Sequence, residues 1–268
     1  MIEKYYDGAI EQVAAGLGTV EKNHLLVRYS GQFSVENLND TKQLEKNEDI
    51  FVQVHEFETG EITCAYEPYL TMICDGFRRY MTGTFEEFME TCDVYYLHRP
   101  VLLGYFNQDN TGREEIILLD EVAYEQERML AALERMLCAI ADRHPVLFVL
   151  NRFQLASKST MQLTARFLKC ENCNIGLVLG VSDIQAMPEF LVPDWEMLYE
   201  TLDDGSKIYH IGNSGRKKEE TIDDEKYVDY GSEKVYRKLQ NMVEFLDFDQ
   251  AAYYLETIER KIKFDNLL

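Results

Sequence analysis

The sequence predicts an α/β fold, a mainly parallel sheet with helices on both faces, followed by a C-terminal helical hairpin. Three observations carry this. Val146 to Leu150 and Ile175 to Gly180 are apolar runs without alternation, the pattern of strands covered on both faces as in a parallel sheet. Segments with apolar residues three and four apart separate such runs; the longest, Glu121 to Arg143, has them at 122, 129, 130, 133, 137, 140 and 141. Strand-like and helix-like segments alternate along the chain, as layered α/β proteins require.

The elements follow in order. Ile2 to Leu17 has helical spacing and meets Gly16 and Gly18, which stop a helix. His24 to Arg28 is a short apolar strand, and Tyr29 to Leu38 turns into a further helical pattern. Asp49 to His55 alternates and then runs apolar, predicting a second strand. Ala65 to Cys74 predicts a helix that starts near Pro68 and continues to Tyr80. Thr84 caps a helix over 84–90 with acidic residues in its first turn. Val101 to Phe106 is apolar, and Asn107 to Gly112 is a loop of turn formers. The helix from Glu121 feeds the strand from Val146; Met161 to Leu168 predicts a helix, Ile175 to Gly180 a strand and Lys207 to Ile211 a last strand. After Gly215 the chain becomes charged and poor in aliphatic residues up to Gly231. Val235 to Phe245 and Gln250 to Phe264 then form two amphipathic helices with a tight connection, an αα-hairpin. The shift divides the chain into an α/β domain over 1–215 and a linker with hairpin over 216–268.

Composition narrows the function. A chain of 268 residues with 46% hydrophobic residues buries a full core. Its net charge of -21 repels nucleic-acid backbones and anionic lipid surfaces. The one basic cluster, Arg216-Lys217-Lys218, runs into Glu219 and Glu220 and reads as a solvated loop. No stretch has the ~18 consecutive apolar residues of a membrane span, and the N-terminus lacks the pattern of a secretory signal, so the expected location is cytoplasmic. The six cysteines mostly sit in apolar segments, as small buried hydrophobes do. Cys170 and Cys173 have C-x2-C spacing, but no second such pair exists and the next histidine is His210, so no four-ligand metal site is expected.

The order of segments resembles a known family. An apolar strand and loop near residue 30, the helix start Tyr66-Glu-Pro-Tyr69, a long helix ending in Arg143-His-Pro145, the Val146 strand, Gln154-Leu-Ala-Ser157 with a following helix, and Leu177-Val-Leu-Gly180 together resemble the P-loop module of the STAND class of AAA-like signalling ATPases. The resemblance covers residues 1–212. It implies a phosphate loop after the first strand and an acidic end on the strand from Val146. The phosphate loop needs G-x-x-x-x-G-K-[ST], whose backbone N–H groups wrap phosphates while the lysine neutralises them. At the matching place stand Tyr29-Ser-Gly31-Gln-Phe-Ser34-Val-Glu36: one glycine, no lysine between Lys22 and Lys42, and a carboxylate near the phosphate position. Where the acidic end is expected stand Asn151, which supplies no carboxylate, and Arg152, of the wrong sign for magnesium. Gly31, Ser34 and Asn151 are therefore remnant nucleotide-site positions, and neither ATP nor magnesium is an expected cofactor. Ser182 and Asp183 occupy the place of a polar sensor in that family.

The hairpin resembles the first unit of a tetratricopeptide-like array, with Ala251, Ala252 and Tyr254 as packing residues. One such hairpin does not bury its own face, so either it packs back on the main domain or the chain continues into an output domain. The expected function is a catalytically inactive regulatory or scaffolding module acting through a protein partner. Two alternatives stand beside it: an active ATPase with non-standard ligands such as Asp120 and Glu121, and an interaction protein using its 17 tyrosines. The five histidines are scattered and no hydrolase motif is present, so no catalytic residue is assigned; His144, in the turn before a strand, reads as structural.

Overall fold

A computed structural model describes residues 2–18, 24–29, 49–58, 63–108, 121–170, 174–182, 187–203, 207–211 and 233–265. Five parallel strands form one sheet in the order β2-β3-β4-β1-β5, from β1 (His24–Tyr29), β2 (Phe51–Glu56), β3 (Val146–Asn151), β4 (Ile175–Ser182) and β5 (Lys207–Ile211). The helices are α1 (Ile2–Gly16), α2 (Tyr69–Tyr80), α3 (Phe85–Thr91), α4 (Arg99–Asn107), α5 (Val122–Ala141), α6 (Lys158–Lys169), α7 (Val192–Asp203), α8 (Glu233–Glu244) and α9 (Phe248–Asp265).

Both faces of the sheet are covered, which is why β3 and β4 are apolar up to their last residues, Asn151 and Ser182. Successive strand residues point to opposite faces. Val146, Phe148 and Leu150 join the larger core under α2, α5 and α6, while Leu147 and Val149 join a second core with Ala9, Ile10 and Val13 of α1. Gly176 lies where α1 crosses β4, and a Cβ there would stand 2.5 Å from Val13 Cγ1 and 3.2 Å from Leu17 Cδ2. Gly176→Ala is expected to cost about 1–3 kcal/mol by overpacking. Val13→Ala in the same chain should return part of the loss, measured by denaturant unfolding; additive losses would refute the close approach.

Local signals set most element boundaries. Thr84 and Glu87 form a reciprocal capping box at the start of α3, and α1 stops at Gly16 with Gly18 at φ 79°. The helix expected from Ala65 begins instead at Tyr69. Tyr66 is left-handed at φ 58°, and the residue before Pro68 is disfavoured in helical conformation, so residues 65–68 form a turn. Val101 to Phe106 belongs to α4, which carries Pro100 in its first turn. α7, for which no helix was expected, follows Leu191 and has Pro193 in its first turn. The expected helix after Tyr29, the loop 107–112 beyond Gln108, and the charged stretch 216–231 lie outside the described residues.

The hairpin has a small core of Val235, Met242 and Ala251, with Leu239, Tyr254 and Ile258 against it; Ala252, expected to pack, is exposed. The hairpin also docks on the α/β body. Phe245 is buried, edge-on to Tyr66 and Tyr105. Asn241 Oδ1 accepts the Ala65 N–H at 3.0 Å, and the Leu246 carbonyl accepts from the Gln126 amide. Phe248 and Tyr253 are half-buried.

Candidate functional site

In an open parallel sheet, ligands bind beyond the carboxyl ends of the strands, where connections leave in opposite directions. Here that place lies between β1 and β4: from β1 the chain goes out to the far edge at β2, and from β4 it crosses β1 to reach β5. The last residues of these strands, Tyr29 and Ser182, are register partners, and Glu56 of β2 partners Asn151 of β3.

Four side chains fill the strand ends. Tyr29 and Asn151 follow the positions of β1 and β3 that face α1, so both point to that side. The Tyr29 hydroxyl donates to Asn151 Oδ1 at 2.7 Å in a buried bond spanning the width of β4. Gly180, on the same face of β4, carries no side chain there. Arg152 sits at φ 54°, in the left-handed region, and pairs with Glu56 at 3.1 Å. Burial pushes the Tyr29 phenol up to about 12, against the opposing pull of the Arg152 guanidinium and the Asn151 hydrogen bond. The phenol is neutral near pH 7. The cluster thus consists of a neutral phenol, a neutral amide and an ion pair whose carboxylate is already matched.

Beside it, Gln154 closes the end of β4: its amide donates to the Ser182 carbonyl at 3.2 Å and accepts the Ser182 N–H at 3.3 Å. Ser182 is held there by its backbone, and Asp183 lies outside the described residues. Ser157 caps α6 by accepting the Thr160 N–H at 3.2 Å. Of the expected remnant positions, Asn151 stands at this edge, fully buried; Gly31 and Ser34 lie outside the described residues, as do Asp120, Cys173 and Arg216 to Lys218. Glu121 precedes α5 without capping it through its side chain.

Tyr29 and Glu56 are the members that sequence reasoning missed as site residues. The signal for Tyr29 was its place as the last residue of an apolar strand. The described histidines do not converge. His144 stacks on Tyr80 at 4.2 Å, consistent with a structural residue, and His98 is buried 3.1 Å from Glu125. Among the described residues no group of three or more histidine, cysteine or acidic side chains is placed to hold a metal ion. Magnesium prefers hard oxygen ligands with carboxylate charge, and among the described residues the strand ends offer one carboxylate, Glu56, already paired with Arg152.

Comparison with protein families and with curated proteins returned no match to this chain.

Proposed function

We propose that this chain is a catalytically inactive P-loop-ATPase-like module that regulates or scaffolds through a protein partner. The observation that carries the reading is the filled strand edge. Where a hydrolase of that class needs carboxylates for magnesium and water, Asn151 accepts a hydrogen bond from Tyr29 and Arg152 is paired with Glu56. Opening this edge to a nucleotide would break a buried hydrogen bond, worth about 0.5–1.5 kcal/mol, and bring triphosphate toward Glu56. The parallel sheet and its switch point support the ancestry; the lost lysine and acid support the loss of hydrolysis. A partner is supported by apolar residues left exposed on the hairpin, Tyr236 and Val243 seven apart on α8 and Leu255 on α9.

Calorimetric titration with Mg-ATP and Mg-ADP, at protein concentrations that register a Kd of ~100 μM, or about -5.5 kcal/mol, is expected to give no binding heat. One-site binding that Ser34→Ala or Asn151→Ala abolishes would overturn the reading.

A further inference from the structure

Between the hairpin and the helical layer lies a cleft of about 450 Å³, lined by Thr71, Cys74 and Asp75 of α2, Tyr105 of α4, and Asn241 and Phe245 of the hairpin. That volume suits a small organic molecule. Glu67, in the turn before α2, lies behind two of these lining residues, Thr71 and Tyr105, and binds their hydroxyls. The Tyr105 hydroxyl donates to Glu67 Oε1, the Thr71 hydroxyl donates to Oε2 at 3.0 Å, and the two hydroxyl oxygens are 3.2 Å apart.

Both hydroxyl donors to this carboxyl are neutral. Lys238 of α8 is a further cation that acts on it electrostatically, while the cleft's arginines are engaged elsewhere. Arg78 donates to the Phe106 carbonyl at 2.7 Å and to Asp75 at 3.3 Å, and Arg237 donates to Glu233 at 2.6 Å. A hydroxyl that donates to a carboxylate turns its lone pairs outward, so Thr71 and Tyr105 present acceptors to the cleft with an acidic group behind them. The Tyr105 and Phe245 rings, 5.9 Å apart and edge-on, supply an aromatic wall, and ring faces attract cations. The chain's charge of -21 draws cations to its surface. The described residues contain no metal-type ligand cluster, which directs the inference to an organic cation.

We propose that this cleft binds a small organic amine, its ammonium group on the Thr71 and Tyr105 hydroxyl oxygens, backed by the Glu67 carboxyl, and its hydrocarbon part along Tyr105 and Phe245. Because α2 and α4 form one wall and the hairpin the other, an occupant bridges the two and holds the hairpin docked. The site shares no residue with the strand ends, so a nucleotide titration has no bearing on it.

The test is calorimetric titration of the intact protein with phenethylamine, and with 2-phenylethanol as its uncharged counterpart, in roughly 0.3 M salt to screen the bulk charge. Saturable one-site binding of the amine, with the alcohol at least tenfold weaker, is the expected result. Glu67→Gln should weaken amine binding tenfold or more. The pair Thr71→Val with Tyr105→Phe, which keeps the carboxyl and removes both oriented hydroxyls, should weaken it severalfold with an unchanged circular dichroism spectrum. Equal binding of amine and alcohol, no saturable binding of either, or amine binding indifferent to both sets of variants would overturn the proposal.

Discussion

Tyr69→Ala is expected to destabilise the protein by about 3–5 kcal/mol, the range for deleting a fully buried aromatic side chain. Tyr69 is 0% exposed. It opens α2 and packs edge-on against Phe148 of β3 at 4.7 Å and Phe167 of α6 at 5.3 Å. One ring thus joins two helices to the centre of the sheet. Its hydroxyl shares a 2.5 Å hydrogen bond with Thr164 Oγ1, which also donates to the Thr160 carbonyl at 2.8 Å. Burial raises the phenol's pKa far beyond the ordinary tyrosine range, so it is neutral at every pH at which the fold is useful. Tyr69→Phe keeps the ring contacts and removes one bond of the pair, with an expected cost of about 1 kcal/mol. At roughly 2–4 °C per kcal/mol for a chain of this order of size, the alanine variant should melt about 6–20 °C lower and the phenylalanine variant about 2–4 °C lower. A loss below about 1.5 kcal/mol for Tyr69→Ala, by urea unfolding, would mean that the ring does not anchor the layer.

The contrast between Tyr69 and Tyr29 shows what the sequence discloses. Tyr69 belongs to the segment Tyr66-Glu-Pro-Tyr69, conspicuous for two tyrosines set around a proline, although its separate tasks are not written there: Tyr66 turns the chain, Glu67 accepts from the Thr71 and Tyr105 hydroxyls, and Tyr69 enters the core. The strands β3 and β4 were legible because burial on both faces forces unbroken apolar runs. Asn151 was legible as a missing acid. Its partner Tyr29 was not, because the two lie 122 residues apart and meet only through the strand order, which no local pattern encodes. α4 escaped because a six-residue apolar run with Gly104 inside fits a strand or a helix equally well. α7 had a readable period at Leu191, Trp195, Leu198 and Leu202, masked by its acidic residues and Pro193. The docking of the hairpin was illegible for another reason: its polar contacts run largely from side chains to backbone N–H groups, which every sequence possesses.

Those contacts make Asp247→Ala the second large effect, with an expected loss of about 2–4 kcal/mol. The first three N–H groups of α6 have no partner within the helix. Thr160 is satisfied locally by Ser157, but Lys158 donates to Gln250 Oε1 at 3.2 Å and Ser159 donates to Asp247 Oδ2 at 3.1 Å. Asp247 also accepts from the Gln250 N–H at the start of α9, so one carboxyl caps two helices. Alanine would leave both N–H groups buried without acceptors, each costing about 1–3 kcal/mol before relaxation. Hydrogen exchange should show α6 and the hairpin losing protection together while β3 and β4 keep theirs; unchanged exchange and a loss under about 0.5 kcal/mol would refute the shared cap. A pH dependence follows. Burial raises the Asp247 carboxyl above the ordinary aspartate range, outweighing its hydrogen bonds and Lys158, so the folded state takes up this proton more readily than the unfolded chain. The associated stability is fully present below the unfolded value and is lost as pH rises through the folded one. Glu67, raised mainly by burial, adds in the same sense, and relief of the net charge of -21 on acidification has that sign too. Asp247→Asn separates them, since it removes one titrating group and leaves the others. Its melting temperature should therefore fall less steeply with pH rising above the ordinary aspartate range than that of the wild-type protein, and parallel slopes would mean that Asp247 titrates no differently in the folded and unfolded chains.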